Sequence, residues 1–140
     1  GGQELDLKYE NKNKKINQII DMQKKKTGKL FNFCLYAVGV VANKNNKEKK
    51  FLSNLGEEIG LLFQLADDFL DIKSSKKLTG KQVKKDSKKG KSTLLNLMGE
   101  KKAYSYALKL KKKILLKLKK HGKKAKNLIN TIEFILGRNF

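Results

Sequence analysis

No proline interrupts the 140 residues, and apolar side chains recur every three or four positions instead of alternating, a pattern that restricts the chain to helices. Between Ile16 and Ala42, in one or two helices, Ile16, Ile19 and Ile20, then Leu30, Phe31, Cys34, Leu35, Val38 and Val41 fall at spacings that face a core. Gly28 lies near the middle of that stretch. Glycine weakens a helix interior by about 1 kcal/mol relative to alanine, so a kink or a close backbone approach is expected there. Residues 1–12 form an opening helical stretch. A third helix is expected over Lys49–Ile72, and two more over Leu94–Lys120 and Lys124–Leu136, separated at His121-Gly122. Residues 74–93 are rich in Lys, Ser and Gly, lack hydrophobic periodicity and read as a long loop. One all-α domain over residues 1–140 follows, long enough to bury about two-thirds of its unfolded surface.

The segment IGLLFQLADDFLDIK carries Gln64, Asp67, Asp68 and Asp71 within an arc of roughly 100° on the third helix, while Leu62, Phe63, Ala66, Phe69 and Leu70 face elsewhere. Three carboxylates are thereby expected to converge on one small volume. The chain holds only 13 acids against 34 Lys and Arg, yet three of them crowd one turn of its most apolar helix. Like charges at this spacing repel by about 0.2–0.5 kcal/mol per pair even when solvated, so a cation on the stripe relieves them. Oxygen donors without Cys or His suit Mg²⁺, which shares its shell with water and substrate phosphates. A solvated acidic turn is the plainer alternative.

Formal net charge is +21, which raises nucleic-acid binding as an alternative function. Against it, only Arg138 among the cations is arginine, and the lysines spread over every polar face without aromatic platforms, so no specific nucleic-acid partner is expected. No apolar run approaches the roughly 20 residues that span a bilayer, and no signal peptide opens the chain, so a cytoplasmic protein is expected. The single cysteine, Cys34, excludes an internal disulfide and is expected to pack in the core. The stripe Leu110, Ile114, Leu115 and Leu118 has the look of a membrane-surface helix, but burial against neighbouring helices is the expectation. His121, beside Gly122, reads as a helix-end residue; the chain has no second His to share a metal. The lysine-rich loop has no P-loop spacing, which argues against nucleotide hydrolysis.

Taken in order, Gly1-Gly2-Gln3 with Leu5-Asp6-Leu7, Lys26-Thr27-Gly28 with Leu30-Phe31, Gly60-Leu61-Leu62-Phe63-Gln64, Asp67-Asp68-x-x-Asp71, Gly80-Lys81, Lys85-Asp86, Gly90-Lys91-Ser92-Thr93 and Arg138-Asn139 resemble the trans-isoprenyl diphosphate synthases. The opening GGQxLDL is most similar to bacterial short-chain farnesyl and geranylgeranyl diphosphate synthases. The resemblance implies the C-terminal portion of the isoprenoid synthase helical bundle, and a prenyltransferase that condenses an allylic diphosphate with isopentenyl diphosphate using Mg²⁺, farnesyl diphosphate being the expected product. It also implies that Asp67 is the main direct Mg²⁺ ligand, with Asp68 and Asp71 acting largely through the ion's waters. Lys26, Thr27 and Gln64 match residues that hold the allylic diphosphate, and Lys81 matches a loop lysine that closes on it. Lys26 and Lys81 are the expected catalytic cations. Lys91 is a second candidate for closure, and Arg138 matches a tail position near the isopentenyl diphosphate. The loop 74–93 would then be a substrate-closing loop. The family's first aspartate-rich motif would lie before Gly1, so the chain reads as a C-terminal half that is inactive alone and homodimeric in its full-length form. A non-catalytic prenyl synthase-like subunit is the alternative within the family.

Overall fold

The computed structural model describes residues 1–9, 15–79 and 93–137, apart from the side chains of 75–79, and every regular element among them is helical. In chain order these are α1 (Gly2–Tyr9), α2 (Ile16–Gln23), a π-helical turn (Lys24–Gly28), α3 (Lys29–Val41), α4 (Asn46–Thr79), α5 (Leu94–Met98), α6 (Glu100–Lys119), a 3₁₀ turn (Gly122–Ala125) and α7 (Lys126–Gly137). None of the helices is long and apolar enough to cross a membrane, among the described residues.

The 34-residue α4 is the spine. Asn45 caps it, its Oδ1 accepting the Glu48 N–H at 2.9 Å. The helix runs past the expected end at Ile72 to Thr79, so residues 74–79 are helical where a loop was expected. The reason is local: KSSKKLT holds no glycine or proline, and the first breaker is Gly80. Residues 80–92, the rest of that loop, lie outside the described residues. The last long helix also differs from expectation, because Gly99, at φ 78°, separates a short α5 from α6. Thr93 caps α5 by accepting the Asn96 N–H at 3.2 Å. Gly122, at φ 59°, lies just past the end of α6, and His121 is the helix-end residue expected.

Leu55, Ile59, Leu62, Leu65 and Phe69 of α4 form the centre of the core. They meet Ile19 and Met22 of α2, the stripe Ala103, Ala107, Leu110, Ile114 and Leu118 of α6, and Ile132, Ile135 and Leu136 of α7. Burial of Leu110, Ile114 and Leu118 agrees with the expectation for that stripe, whereas Leu115 is only half-buried. Glu58 ties α6 to α4 at the edge of this contact, its carboxylate 2.6 Å from Lys117 Nζ and 2.9 Å from Lys113 Nζ. Burial pushes the Glu58 pKa up, but the two lysines outweigh it and hold the carboxyl below its ordinary range. This ion pair therefore contributes fully above the ordinary pKa of 4.5 and fades as pH falls through the depressed value.

Helix α3 departs furthest from the sequence expectation. Gly39 is its only buried residue; Phe31 and Leu35 are half-buried, while Leu30, Val38 and Val41 are exposed. Ile16 of α2 is exposed as well. Cys34, expected in the core, is exposed. Nearly every residue of KLFNFCLYAVGVV is apolar, so periodicity could not single out the face that packs, and only one side of the helix meets α4.

That side is set by glycines. A Cβ at Gly60 would lie 2.7 Å from Gly28 Cα, and one at Gly56 would lie 2.4 Å from the Phe31 carbonyl oxygen. Both distances are shorter than real carbon contacts, so the two backbones touch only because neither position carries a side chain. The close approach expected at Gly28 is present. Gly60→Ala should lower the unfolding free energy by about 1–3 kcal/mol through overpacking, despite the roughly 1 kcal/mol that alanine adds to helix propensity. Urea unfolding followed by circular dichroism measures this; unchanged stability would mean that the helices separate freely.

Candidate active site

The π turn carries Lys26 and Thr27, and its wider coil is a local departure of the kind that concentrates at functional sites. One helical turn beyond the Gly28–Gly60 contact, Gln64 comes within reach of it. Thr27 Oγ1 donates to Gln64 Oε1 at 2.8 Å, and Gln64 Nε2 donates to Asp68 Oδ1 at 3.1 Å. The amide thus joins the π turn to the aspartate stripe.

Lys26 is held from the other side. Its Nζ lies 2.5 Å from Asp6 Oδ2 of α1. Helix α1 reaches this position because Gly2 rests on the turn, where a Cβ would stand 2.2 Å from the Lys26 backbone nitrogen. Gly2 and Asp6 therefore explain the opening GGQxLDL in physical terms: a contact residue, then one turn later a carboxylate aimed at Lys26. Sequence reasoning quoted Asp6 as part of a motif but did not assign it to the site. Its i,i+4 relation to Gly2 was the available signal.

Asp67 and Asp71 are exposed and Asp68 is partly buried. Among the described residues no three His, Cys, Asp or Glu side chains form a group that could by itself hold a metal. The expected convergence of three carboxylates is therefore not seen. Adjacent positions on a helix diverge by about 100°, and Gln64 draws Asp68 toward the π turn while Asp67 stands in solvent. Lys81, Lys91 and Arg138 lie outside the described residues.

Asp68 is the most perturbed group of the stripe. Its Oδ2 is buried without a hydrogen-bond partner, although Oδ1 is satisfied by Gln64. Burial raises its pKa most, the neighbouring charges of Asp67 and Asp71 add to the rise, and the Gln64 bond and the Lys26 charge oppose it; the net value moves from 3.8 to about 6. A buried anionic oxygen with no donor is a position for a cation or for water bound to one. The donors are all hard oxygens and fit Mg²⁺, with the remainder of its shell supplied by water or phosphate.

The sign of the stability effect follows. Ionised Asp68 is disfavoured in the fold, so its penalty is absent below pH 3.8, grows through the interval up to about 6, and is constant above it. In metal-free protein, the stability of wild type relative to Asp68→Asn should fall by up to about 3 kcal/mol between about pH 4 and about pH 7. Chemical denaturation of both proteins across this range measures it. A pH-independent difference would remove the claim that burial burdens this carboxylate.

Residues 1–132 match the family model described as Polyprenyl synthetase. The chain is 35% identical over 98 residues to farnesyl diphosphate synthase of Micrococcus luteus, covering 70% of this chain and 34% of that protein. It is 33% identical over 118 residues to farnesyl diphosphate synthase of Bacillus subtilis (strain 168), covering 82% and 40%. Among solved structures, an FPP/GFPP synthase from Zymomonas mobilis superposes with a TM-score of 0.78 at 31% identity, over 96% of this chain and 44% of that one. A geranyltransferase from Helicobacter pylori complexed with magnesium and isoprenyl diphosphate gives a TM-score of 0.75 at 29% identity, over 98% and 45%. The chain thus spans about a third to just under half the length of these proteins.

Proposed function

The chain belongs to the polyprenyl synthetase family, and from that premise we propose that it forms one wall of the active site of a short-chain trans-prenyltransferase, which joins an allylic diphosphate to isopentenyl diphosphate. The observation that carries this reading is the continuous polar line Asp6, Lys26, Thr27, Gln64, Asp68, ending on an unpartnered buried carboxylate oxygen. Such a line offers, within one site, a cation and donors for phosphate oxygens and an anion for a metal.

In this reading Asp67 would hold Mg²⁺, with Asp68 and Asp71 beside it to take part through bound water. The bound ion supplies Lewis-acid neutralisation of the departing diphosphate. Lys26 leaves Asp6 for a diphosphate oxygen, adding positive charge where negative charge develops on the leaving group. Gln64 Nε2 keeps a second N–H for the same group, and the Thr27 hydroxyl, oriented beforehand by its bond to Gln64 Oε1, turns its single proton to the diphosphate when it binds. Lys81, and with it Lys91, closes from the segment that follows α4, and Arg138 serves the isopentenyl diphosphate. An apolar cavity of about 280 Å³, lined by Phe31, Cys34, Leu35, Ile59 and Phe63 with residues of α7, is a candidate place for the hydrocarbon of the allylic substrate. Ionisation of the allylic C–O bond releases diphosphate, the isopentenyl double bond attacks the cation, and loss of a proton completes the product.

Farnesyl diphosphate is the product this reading favours, supported by the names of the Micrococcus and Bacillus relatives. The family resemblance implies a second, opposing aspartate-rich wall outside residues 1–140, so these residues alone should be inactive; the chain spans 34% and 44% of two proteins that it matches. The active form is a cytoplasmic homodimer. The exposed, nearly uncharged flank of α3, with Leu30, Phe33, Val40 and Val41, supports the packing of further protein on that side.

In the full-length protein, Asp67→Ala should reduce prenyl transfer from dimethylallyl and isopentenyl diphosphates on the order of 10²-fold or more, with its binding to heparin little changed. Product extraction and chain-length analysis measure both turnover and product. An undiminished rate in that variant would sink the assignment of the aspartate stripe.

A further inference from the structure

Helix α6 has a second face with a chemistry different from the one that packs. Leu108, Lys109, Lys112, Leu116, Lys119 and Lys120 are all exposed and fall within an arc of roughly 120°, opposite the buried stripe Ala103, Ala107, Leu110, Ile114 and Leu118. Leu108 is 44% and Leu116 55% exposed, and two turns of helix place them about 12 Å apart. Shallow grooves run along both sides of this pair. One is lined by Leu108, Lys111, Lys112, Leu115, Leu116 and Lys119, the other by Lys109, Lys112, Lys113, Leu116, Lys117 and Lys120.

The charge of the face is uncompensated. Lys113 and Lys117 are tied to Glu58, and Lys111 donates to the Glu133 carbonyl oxygen. Lys109, Lys112, Lys119 and Lys120 make no hydrogen bond or ion pair among the described residues. Glu100, in the first turn, is the sole acid of the helix, and the exposed Glu133 of α7 lies beyond its Lys111 edge. Covering this face with more protein would strand unpaired ammonium groups away from water. The flank of α3 carries no such charge after Lys29, which is why the two exposed apolar faces call for different partners.

From this arrangement we propose that the outer face of α6 docks the protein on an anionic phospholipid surface. Exposed leucines enter the boundary between headgroups and acyl chains, while lysines on either side extend their stems along it and keep their ammonium groups among the lipid phosphates. A nucleic acid would use the lysines but has no place for the leucines, and the face offers no arginine or aromatic ring for base contact. The inference stands on α6 alone and is independent of the diphosphate site.

The test uses the full-length protein with phosphatidylcholine vesicles, vesicles of phosphatidylcholine and phosphatidylglycerol, and duplex DNA. Co-sedimentation should show binding to the phosphatidylglycerol vesicles and not to phosphatidylcholine alone. The double exchange Leu108→Gln with Leu116→Gln, and separately Lys109→Gln with Lys112→Gln and Lys119→Gln, should each weaken vesicle binding about tenfold. Both leucines are exposed, so the leucine variant should keep its thermal midpoint and its salt-sensitive binding to DNA. Three results would overturn the proposal: no binding to the anionic vesicles, vesicle binding indifferent to the leucine exchange, or an equal loss on DNA and vesicles in the leucine variant.

Discussion

Everything at the site depends on two helices touching backbone to backbone. Gly28 at the end of the π turn and Gly56 and Gly60 on α4 remove the side chains that would otherwise hold the helices at their usual separation. Only at that distance can the short Thr27 hydroxyl reach the Gln64 amide. A second glycine contact, Gly2 on the turn, brings Asp6 to Lys26 in the same way. The polar groups therefore come from three elements far apart in sequence, yet each is placed by a glycine within one or two turns of it.

Placement of this kind opposes stability. Asp68 keeps one oxygen buried without a donor and has its charge disfavoured by burial and by its neighbours. Glu58, on the same helix about three turns earlier, shows the other outcome of burying a carboxylate: two lysines meet it and its charge is favoured. One helix thus contains a satisfied structural acid and an unsatisfied one. Unsatisfied groups of the second sort are where a missing ligand belongs.

Much of this was legible in the sequence. Helical class followed from periodicity and the absence of proline, and the core face of α6 followed from Leu110, Ile114 and Leu118. Gln64 and Asp68 are named from helical spacing and Lys26 and Thr27 from the family resemblance; Thr27, Gln64 and Asp68 form one hydrogen-bonded chain, and the Lys26 charge acts on Asp68. Two things were not legible. In α3 nearly every position is apolar, so composition could not tell the half-buried Phe31 and Leu35 from the exposed Cys34, Val38 and Val41. The three aspartates do not form a group that could by itself hold a metal, because an arc on a helical wheel ignores side-chain direction: Asp68 is bonded to Gln64 and partly buried, while Asp67 and Asp71 are exposed.

The π turn also resolves a puzzle of pattern. Lys24–Gly28 stores an extra residue in what would otherwise be one helix from Ile16 to Val41, and so shifts the phase of everything after it. On an unbroken α-helix Phe31 and Leu35 would stand roughly 120–160° round from Ile19; the extra residue of the π turn takes back about 100° of that and brings them towards the side of Ile19 and Met22, which are fully buried while Phe31 and Leu35 are partly so. The phase shift lets the chain bury α2 in the core and lay α3 along α4, and Thr27, where the two registers meet, bonds to Gln64 of the aspartate helix.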